Sequence, residues 1–133
     1  LKDYYGAIAD YTKAIELDPD YADAYINRGI SKENLKDYYG AIADYTEAIE
    51  LNPDYTAAYI NRGVSKVDLK DYYGAIADYS KAIELDPDDA SAYYNRGIAK
   101  YYLDDINGAC LDVRKSVNLG RTDSKDFIGQ ICN

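Results

Sequence analysis

Carboxylates are the commonest reactive groups in this chain, and many fall in close pairs, among them Asp20 with Asp23 and Asp104 with Asp105. Two carboxyl groups can share general acid and general base work only when a cleft holds them with separated pKa values. No segment of the sequence supplies the walls of such a cleft, so these acids read as solvated caps and turn residues. The chain has no histidine, which removes the usual carrier of proton transfer and metal ligation. Cys110 and Cys132 are too few and too unevenly placed for a disulfide framework or a zinc site. Cys110 reads as a small core hydrophobe and Cys132 as a residue near a frayed end. The fragments DPDY and NPDY lack the alternating oxygen donors and the glycine of a calcium loop. The expectation is no enzyme activity, no cofactor and no metal.

Basic residues recur in rows instead: Arg28, Arg62 and Arg96, with Lys32, Lys66 and Lys100 one helical turn later. These rows can meet an acidic partner, or their stems can cover neighbouring rings while their charges pair with Asp44 and Asp78 across the fold. The second reading is preferred. Lys and Arg total 15 against 24 Asp and Glu, a net charge of −9. The acidic surplus is spread along the chain without a basic stripe, which argues against nucleic acid and against an anionic membrane surface. It suits solubility, or a basic or mixed-charge partner. No apolar run is long enough to cross a bilayer, so direct membrane insertion is not expected. The sequence begins at Leu1 in mid-unit without an initiator Met, and reads as a segment of something longer. Localisation is left open, with the cytoplasm the weak default for the visible segment.

The elements that carry these residues repeat every 34 residues: Leu1 to Asn34 returns as Leu35 to Asp68, and with more changes as Leu69 to Tyr102. A period of this size marks a solenoid whose units bury their apolar faces only by stacking. Ala22, Tyr25, Ile26, Gly29 and Ile30 recur at spacings of three and four, which predicts a helix over Asp23 to Asn34. Gly29 costs roughly 1 kcal/mol inside a helix relative to Ala; its return as Gly63 and Gly97 implies a second helix crossing there with no room for a side chain. Leu35 to Asp37 makes a short turn. A second helix follows over Tyr38 to Leu51, its apolar stripe running through Ala41, Ile42, Tyr45 and Ala48 while Asp44, Glu47 and Glu50 face outward. Pro53 stops it, as Pro19 and Pro87 stop its counterparts.

The same reading gives a lone second-type helix at Tyr4 to Leu17, helix pairs at Ala57 to Asp68 with Tyr72 to Leu85 and at Ser91 to Leu103 with Ile106 to Leu119, and a cap at Thr122 to Ile131 in which Phe127 and Ile131 share a face. The domain expectation is one all-α domain over residues 1–133. It comprises a truncated unit at 1–19, full units at 20–53, 54–87 and 88–121, and a capping segment at 122–133.

These residues resemble the tetratricopeptide repeat family, which shares the period and the helix-turn-helix unit. The resemblance rests on Tyr25, Gly29, Ala41, Tyr45, Ala48 and Pro53, and again on Tyr59, Gly63, Ala75, Tyr79, Ala82 and Pro87. With Gly97 these form the expected repeat core. The resemblance implies a right-handed α-α superhelix whose first-type helices line a concave groove for peptides or extended segments, in a non-enzymatic adaptor or scaffold. One subgroup grips a partner's C-terminal carboxylate with lysines and asparagines. The corresponding positions here, Ile26, Ile30, Asn61, Ser91 and Asn95, keep only the asparagine element, which counts against that clamp.

Extrapolated helix phases put four columns on the groove: Ile26/Ile60/Tyr94, Ile30/Val64/Ile98, Glu33/Val67/Tyr101 and, at the edge, Asn27/Asn61/Asn95. Branched aliphatics and rings can take apolar side chains from a peptide while asparagine amides bond its backbone. Each column has a second reading, packed between adjacent helices, that period alone does not separate from display. A protein or peptide in the groove is the expected partner. The alternative is self-assembly, a homo-oligomer formed through the exposed edge of the Tyr4 to Leu17 helix.

Overall fold

The computed structural model describes residues 2–132, all of whose regular elements are helical: α1 (Tyr4–Leu17), α2 (Ala22–Asn34), α3 (Tyr38–Leu51), α4 (Thr56–Asp68), α5 (Tyr72–Leu85), α6 (Ala90–Tyr102), α7 (Ile106–Asn118), a 3-10 turn (Thr122–Ser124) and α8 (Lys125–Ile131). The first-type helices α2, α4 and α6 begin one residue earlier than the apolar period indicates, and the expected cap divides into a turn and a short helix.

Short polar signals set each hairpin. Every second-type helix starts on an aspartate whose side chain accepts a hydrogen bond from a glycine amide three residues on: Asp3 from Gly6 at 2.8 Å, Asp37 from Gly40 at 3.0 Å, Asp71 from Gly74 at 3.0 Å and Asp105 from Gly108 at 2.9 Å. Each such cap contributes about 1 kcal/mol. The turn before it closes by paired backbone bonds, Lys36 N–H to the Glu33 carbonyl and Asp37 N–H to the Lys32 carbonyl, each at 2.9 Å. This is the Schellman arrangement, which needs a left-handed residue. Lys36, Lys70 and Asp104 fill that place with φ of 63°, 62° and 61°.

Packing then alternates rings with missing side chains. A Cβ added at Gly29 would lie 2.6 Å from Cε1 of Tyr45, and one at Gly63 the same distance from Cε1 of Tyr79. The first-type helix is thus laid directly on a buried ring of the second. In the third unit the ring is replaced by Val113, whose Cγ2 would stand 2.8 Å from a Cβ at Gly97. Ala41, Ala48, Ala75 and Ala82 are fully buried and let the neighbouring helices close in. The apolar interior divides into clusters that straddle unit boundaries: Ile26, Ala41, Tyr45 and Ala48 gather with Ala58 of α4, and Tyr59 and Ala82 gather with Ala92 of α6. No unit encloses a core of its own, as stacking requires.

Each helix packs on the next in sequence, and α2 also touches α4, as α4 touches α6; the second-type helices make no comparable approach to one another. A stack whose first-type helices crowd while its second-type helices spread is curved, with α2, α4 and α6 on the inside.

Two expectations are corrected here. Asp44 does not face outward: its side chain is 4% exposed, because Arg28 and Lys32 both pair with it. The cysteines are not independent residues of core and frayed end, since Cys110 and Cys132 form a disulfide, with their Cα atoms 5.4 Å apart. The reason lies in the register. α8 continues the stack as the start of a further first-type helix, so Cys132 takes the place that Ile98 holds one unit earlier, and Cys110 the place of Ile76. Ile131, Phe127 and Ile128 of α8 complete the last cluster with Ala109 and Val113.

Candidate binding groove

The same Arg–Lys–Asp triad recurs in all three helix hairpins. Arg28 donates to Asp44 through Nε at 2.9 Å and Nη2 at 2.7 Å, and through Nη1 to Thr12 Oγ1 at 3.2 Å in the preceding unit. Lys32 Nζ closes on the same carboxylate at 3.0 Å. Arg62 and Lys66 repeat this on Asp78 with Thr46, and Arg96 and Lys100 on Asp112 with Ser80. The forked geometry suits guanidinium and carboxylate planes. Each guanidinium also lies over a ring of its own helix, Arg28 on Tyr25, Arg62 on Tyr59 and Arg96 on Tyr93. The hydrogen bond to the aspartate is the largest influence raising each arginine further above its ordinary pKa. The basic ladder is therefore consumed inside the fold. The signal for it was a constant offset of 16 residues from each Arg to its Asp.

The columns differ in how far they are displayed. Ile26 is 5% exposed and packs among Ala41, Tyr45, Ala48 and Ala58, so it is a core residue and not a groove residue. Its successors Ile60 and Tyr94 are half-buried in the seams between units. Ile30 is 39% exposed, while Val64 and Ile98 are half-buried, Val64 against Ala75, Tyr79 and Ala99. Asn27 is exposed, and Asn61 and Asn95 are half-buried. Val67 is half-buried and Tyr101 is 40% exposed. Phe127 of α8 meets Tyr101 and Tyr94 edge-on, at ring centroid distances of 5.5 and 6.4 Å. Phe127 thus packs on the last layer, where Tyr101 stays as exposed as Ile30, and along the first-type helices Asn27 and Ile30 are exposed while Asn61, Val64 and Ile98 are half-buried. The repeat core lies behind it: Tyr59, Tyr79 and Tyr45 are buried, as are Gly29, Gly63 and Gly97, while Tyr25 is half-buried.

Glu33 is the one acid in its column, since Val67 and Tyr101 follow it. Its Oε2 accepts hydrogen bonds from Tyr45 Oη at 3.0 Å and Ser65 Oγ at 2.8 Å, two residues that are fully buried. Burial is the main cause raising the Tyr45 phenol above the ordinary tyrosine range, with Glu33 adding to it. These hydroxyl partners were not legible from the period, because Glu33 departs from the repeat. Among the described residues there is no enclosed pocket and no cluster of three or more His, Cys, Asp or Glu able to hold a metal ion.

A family model described as TPR repeat matches residues 1–36 and 65–104, and one described as tetratricopeptide repeat matches residues 22–55. A search of curated proteins returns no significant match. Among solved structures, the chain is similar to a crystal structure of MamA at 22% identity and TM-score 0.91, covering 97% of this chain and 77% of that one. It is similar to the first TPR domain of Spaghetti (RPAP3) bound to the HSP90 peptide SRMEEVD at 23% identity and TM-score 0.80, covering 84% and 90%. The Arabidopsis OM64 TPR domain follows at 25% identity and TM-score 0.77, covering 82% and 94%. Likeness at this level of identity carries the architecture and not the ligand.

Proposed function

Because the chain belongs to the tetratricopeptide repeat family, whose fold is that of protein-interaction modules, we propose that it works without catalysis and binds an extended peptide segment along α2, α4 and α6. The observation that supports this reading is the row on α2, α4 and α6 formed by the exposed Asn27 and Ile30 and the half-buried Asn61, Val64 and Ile98. Apolar side chains interleaved with amides at successive layers suit a peptide whose alternate side chains enter apolar spaces and whose backbone needs donors and acceptors. Three of the last four residues of the peptide in the Spaghetti complex are acidic. Here the first-type helix cations are held by Asp44, Asp78 and Asp112, which argues against a ligand of that charge.

The test is selection of peptides from a displayed library, followed by affinity measurement on Ile30→Ser and Asn61→Ala. Both residues are at least partly exposed, so circular dichroism should show an unchanged fold. Affinity reduced severalfold in both variants supports the groove; unchanged affinity in both folded variants refutes it. Self-association through α1 is favoured by a separate observation. That helix has no buried residue, in contrast to α3 and α5, and Leu17 on it is 77% exposed. Sedimentation over a wide concentration range with Leu17→Glu decides that reading.

A further inference from the structure

We propose that the Cys110–Cys132 disulfide is a redox latch on the last helix: reduction by a dithiol releases α8 from α7 and uncovers the apolar surface formed by Tyr94, Ala109 and Val113. The inference stands whether or not the groove takes a peptide.

α8 is built weakly. It has 7 residues where the other α-helices have 13 or 14, and a helix of two turns does not persist in water on its own. Neither α8 nor the 3-10 turn before it receives a side-chain cap, whereas Asp3, Asp37, Asp71 and Asp105 cap the second-type helices. Gly129 stands in the middle of α8 and lowers its helix propensity. A Cβ there would meet nothing within 4 Å, so no close crossing requires this glycine, in contrast to Gly63 against Tyr79.

α8 is also held on few sides. α4 and α6 each pack between two second-type helices, but α8 has α7 and, through Phe127, the ring edges of Tyr94 and Tyr101. Ile131 is its one buried residue. Among the described residues no side chain of α8 makes a hydrogen bond or an ion pair; the last such contacts belong to Arg121, Asp123 and Ser124. The remaining tie is the disulfide, which fixes Cys132 at the C-terminal end of α8 to Cys110 of α7. With the bond intact α8 is anchored at both ends and opens only as a closed loop; without it the preceding turn is the one anchor.

Release has a defined consequence. Ile131, Phe127 and Ile128 pack over Ala109 and Val113, both 0% exposed, and beside Tyr94. Arg121 lies over the Tyr94 ring at 4.0 Å and donates to Ser91 Oγ at 3.3 Å, which keeps the segment before α8 in place. Opening is therefore confined to α8. Both cysteines are only half-buried, so a thiolate can reach them. It attacks one sulfur to give a mixed disulfide and expels the other cysteine as a thiolate, which takes up a proton. The second thiol of the reductant then displaces the first cysteine. Two electrons and two protons pass to the cysteine pair, and the reductant leaves as its own disulfide.

The experiment is hydrogen exchange read by mass spectrometry on the wild-type chain with and without dithiothreitol, alongside the double variant Cys110→Ser with Cys132→Ser. Binding of a dye that fluoresces on exposed apolar surface is followed in parallel. Reduction should speed exchange in α8 by up to about a hundredfold, leave α2 to α5 unchanged and raise dye fluorescence. The double variant should show the open pattern in both conditions, without a response to the dithiol. Gly129→Ala should slow α8 exchange in the reduced chain about fivefold. Unchanged α8 exchange and dye binding on reduction overturn the latch, as does faster exchange spread evenly over α2 to α5. A dithiol response that persists in the double variant overturns it too. If the double variant fails to fold, the reduced and oxidised wild-type chain decide between these outcomes.

Discussion

Arg62 and Asp78 stand 16 residues apart and meet through two parallel hydrogen bonds, Nε to Oδ2 at 2.9 Å and Nη2 to Oδ1 at 2.7 Å, with Lys66 on the same carboxylate at 2.9 Å. One buried acid holds two cations, and Arg62 in turn reaches Thr46 of the preceding unit. Removing the acid strands both. Asp78→Ala should therefore destabilise the protein by about 3 kcal/mol, measured by urea unfolding. The same change at Asp10, the equivalent residue of α1, should cost far less, because Asp10 is exposed and has no arginine partner among the described residues.

Gly63 and Tyr79 leave no space for a methyl group. Gly63→Ala places a Cβ 2.6 Å from a ring carbon of a buried side chain, and overpacking of this kind costs about 1–3 kcal/mol. That exceeds the gain of roughly 1 kcal/mol in helix propensity, so a net fall in thermal midpoint is expected. Gly129→Ala in α8, where a Cβ meets nothing within 4 Å, should show no loss. Equal behaviour of the two variants would remove the helix crossing from the account.

The Cys110–Cys132 bond closes a segment with a sequence separation of 22 residues. Loop-closure entropy assigns such a link about 3 kcal/mol. Cys132→Ser should lower stability by up to that amount, and hydrogen exchange should show the loss of protection concentrated in α8 and not in α2 to α5. Uniform loss along the chain would contradict a local cap.

Tyr45 and Tyr79 should set the alkaline limit. Burial is the first cause holding both phenols above the ordinary tyrosine value of about 10, so the folded protein keeps protons that the unfolded chain releases. Their contribution is complete below about pH 10 and is lost as pH rises beyond it, towards the raised folded-state value. Phenolate absorbance from these two residues should emerge together with loss of helical dichroism. Tyr79→Phe, which sacrifices no hydrogen bond, should move that alkaline transition to higher pH.

Period and punctuation made the architecture readable in advance. Pro19, Pro53 and Pro87, the recurring Gly29, Gly63 and Gly97, and the alanine and tyrosine stripe specify helices, turns and the order of stacking through local backbone preferences and side-chain volume. The chain's own letters determined this because each is a nearest-neighbour matter, repeated in every unit. Depth was different. Ile26 and Ile30 lie one helical turn apart and look alike in the sequence, yet one is core and the other is displayed, since the approach of α4 decides which is covered. Asp44 is hidden and Asp10 open, although they hold equivalent positions, because Arg28 and Lys32 of α2 both close on Asp44, whereas Arg28 meets α1 at Thr12 and not at Asp10. Glu33 and the cysteine pair belong to single positions where the repeat breaks, and no periodicity reports on those. Their partners are 12, 22 and 32 residues away, and only the curvature of the assembled stack brings such residues together.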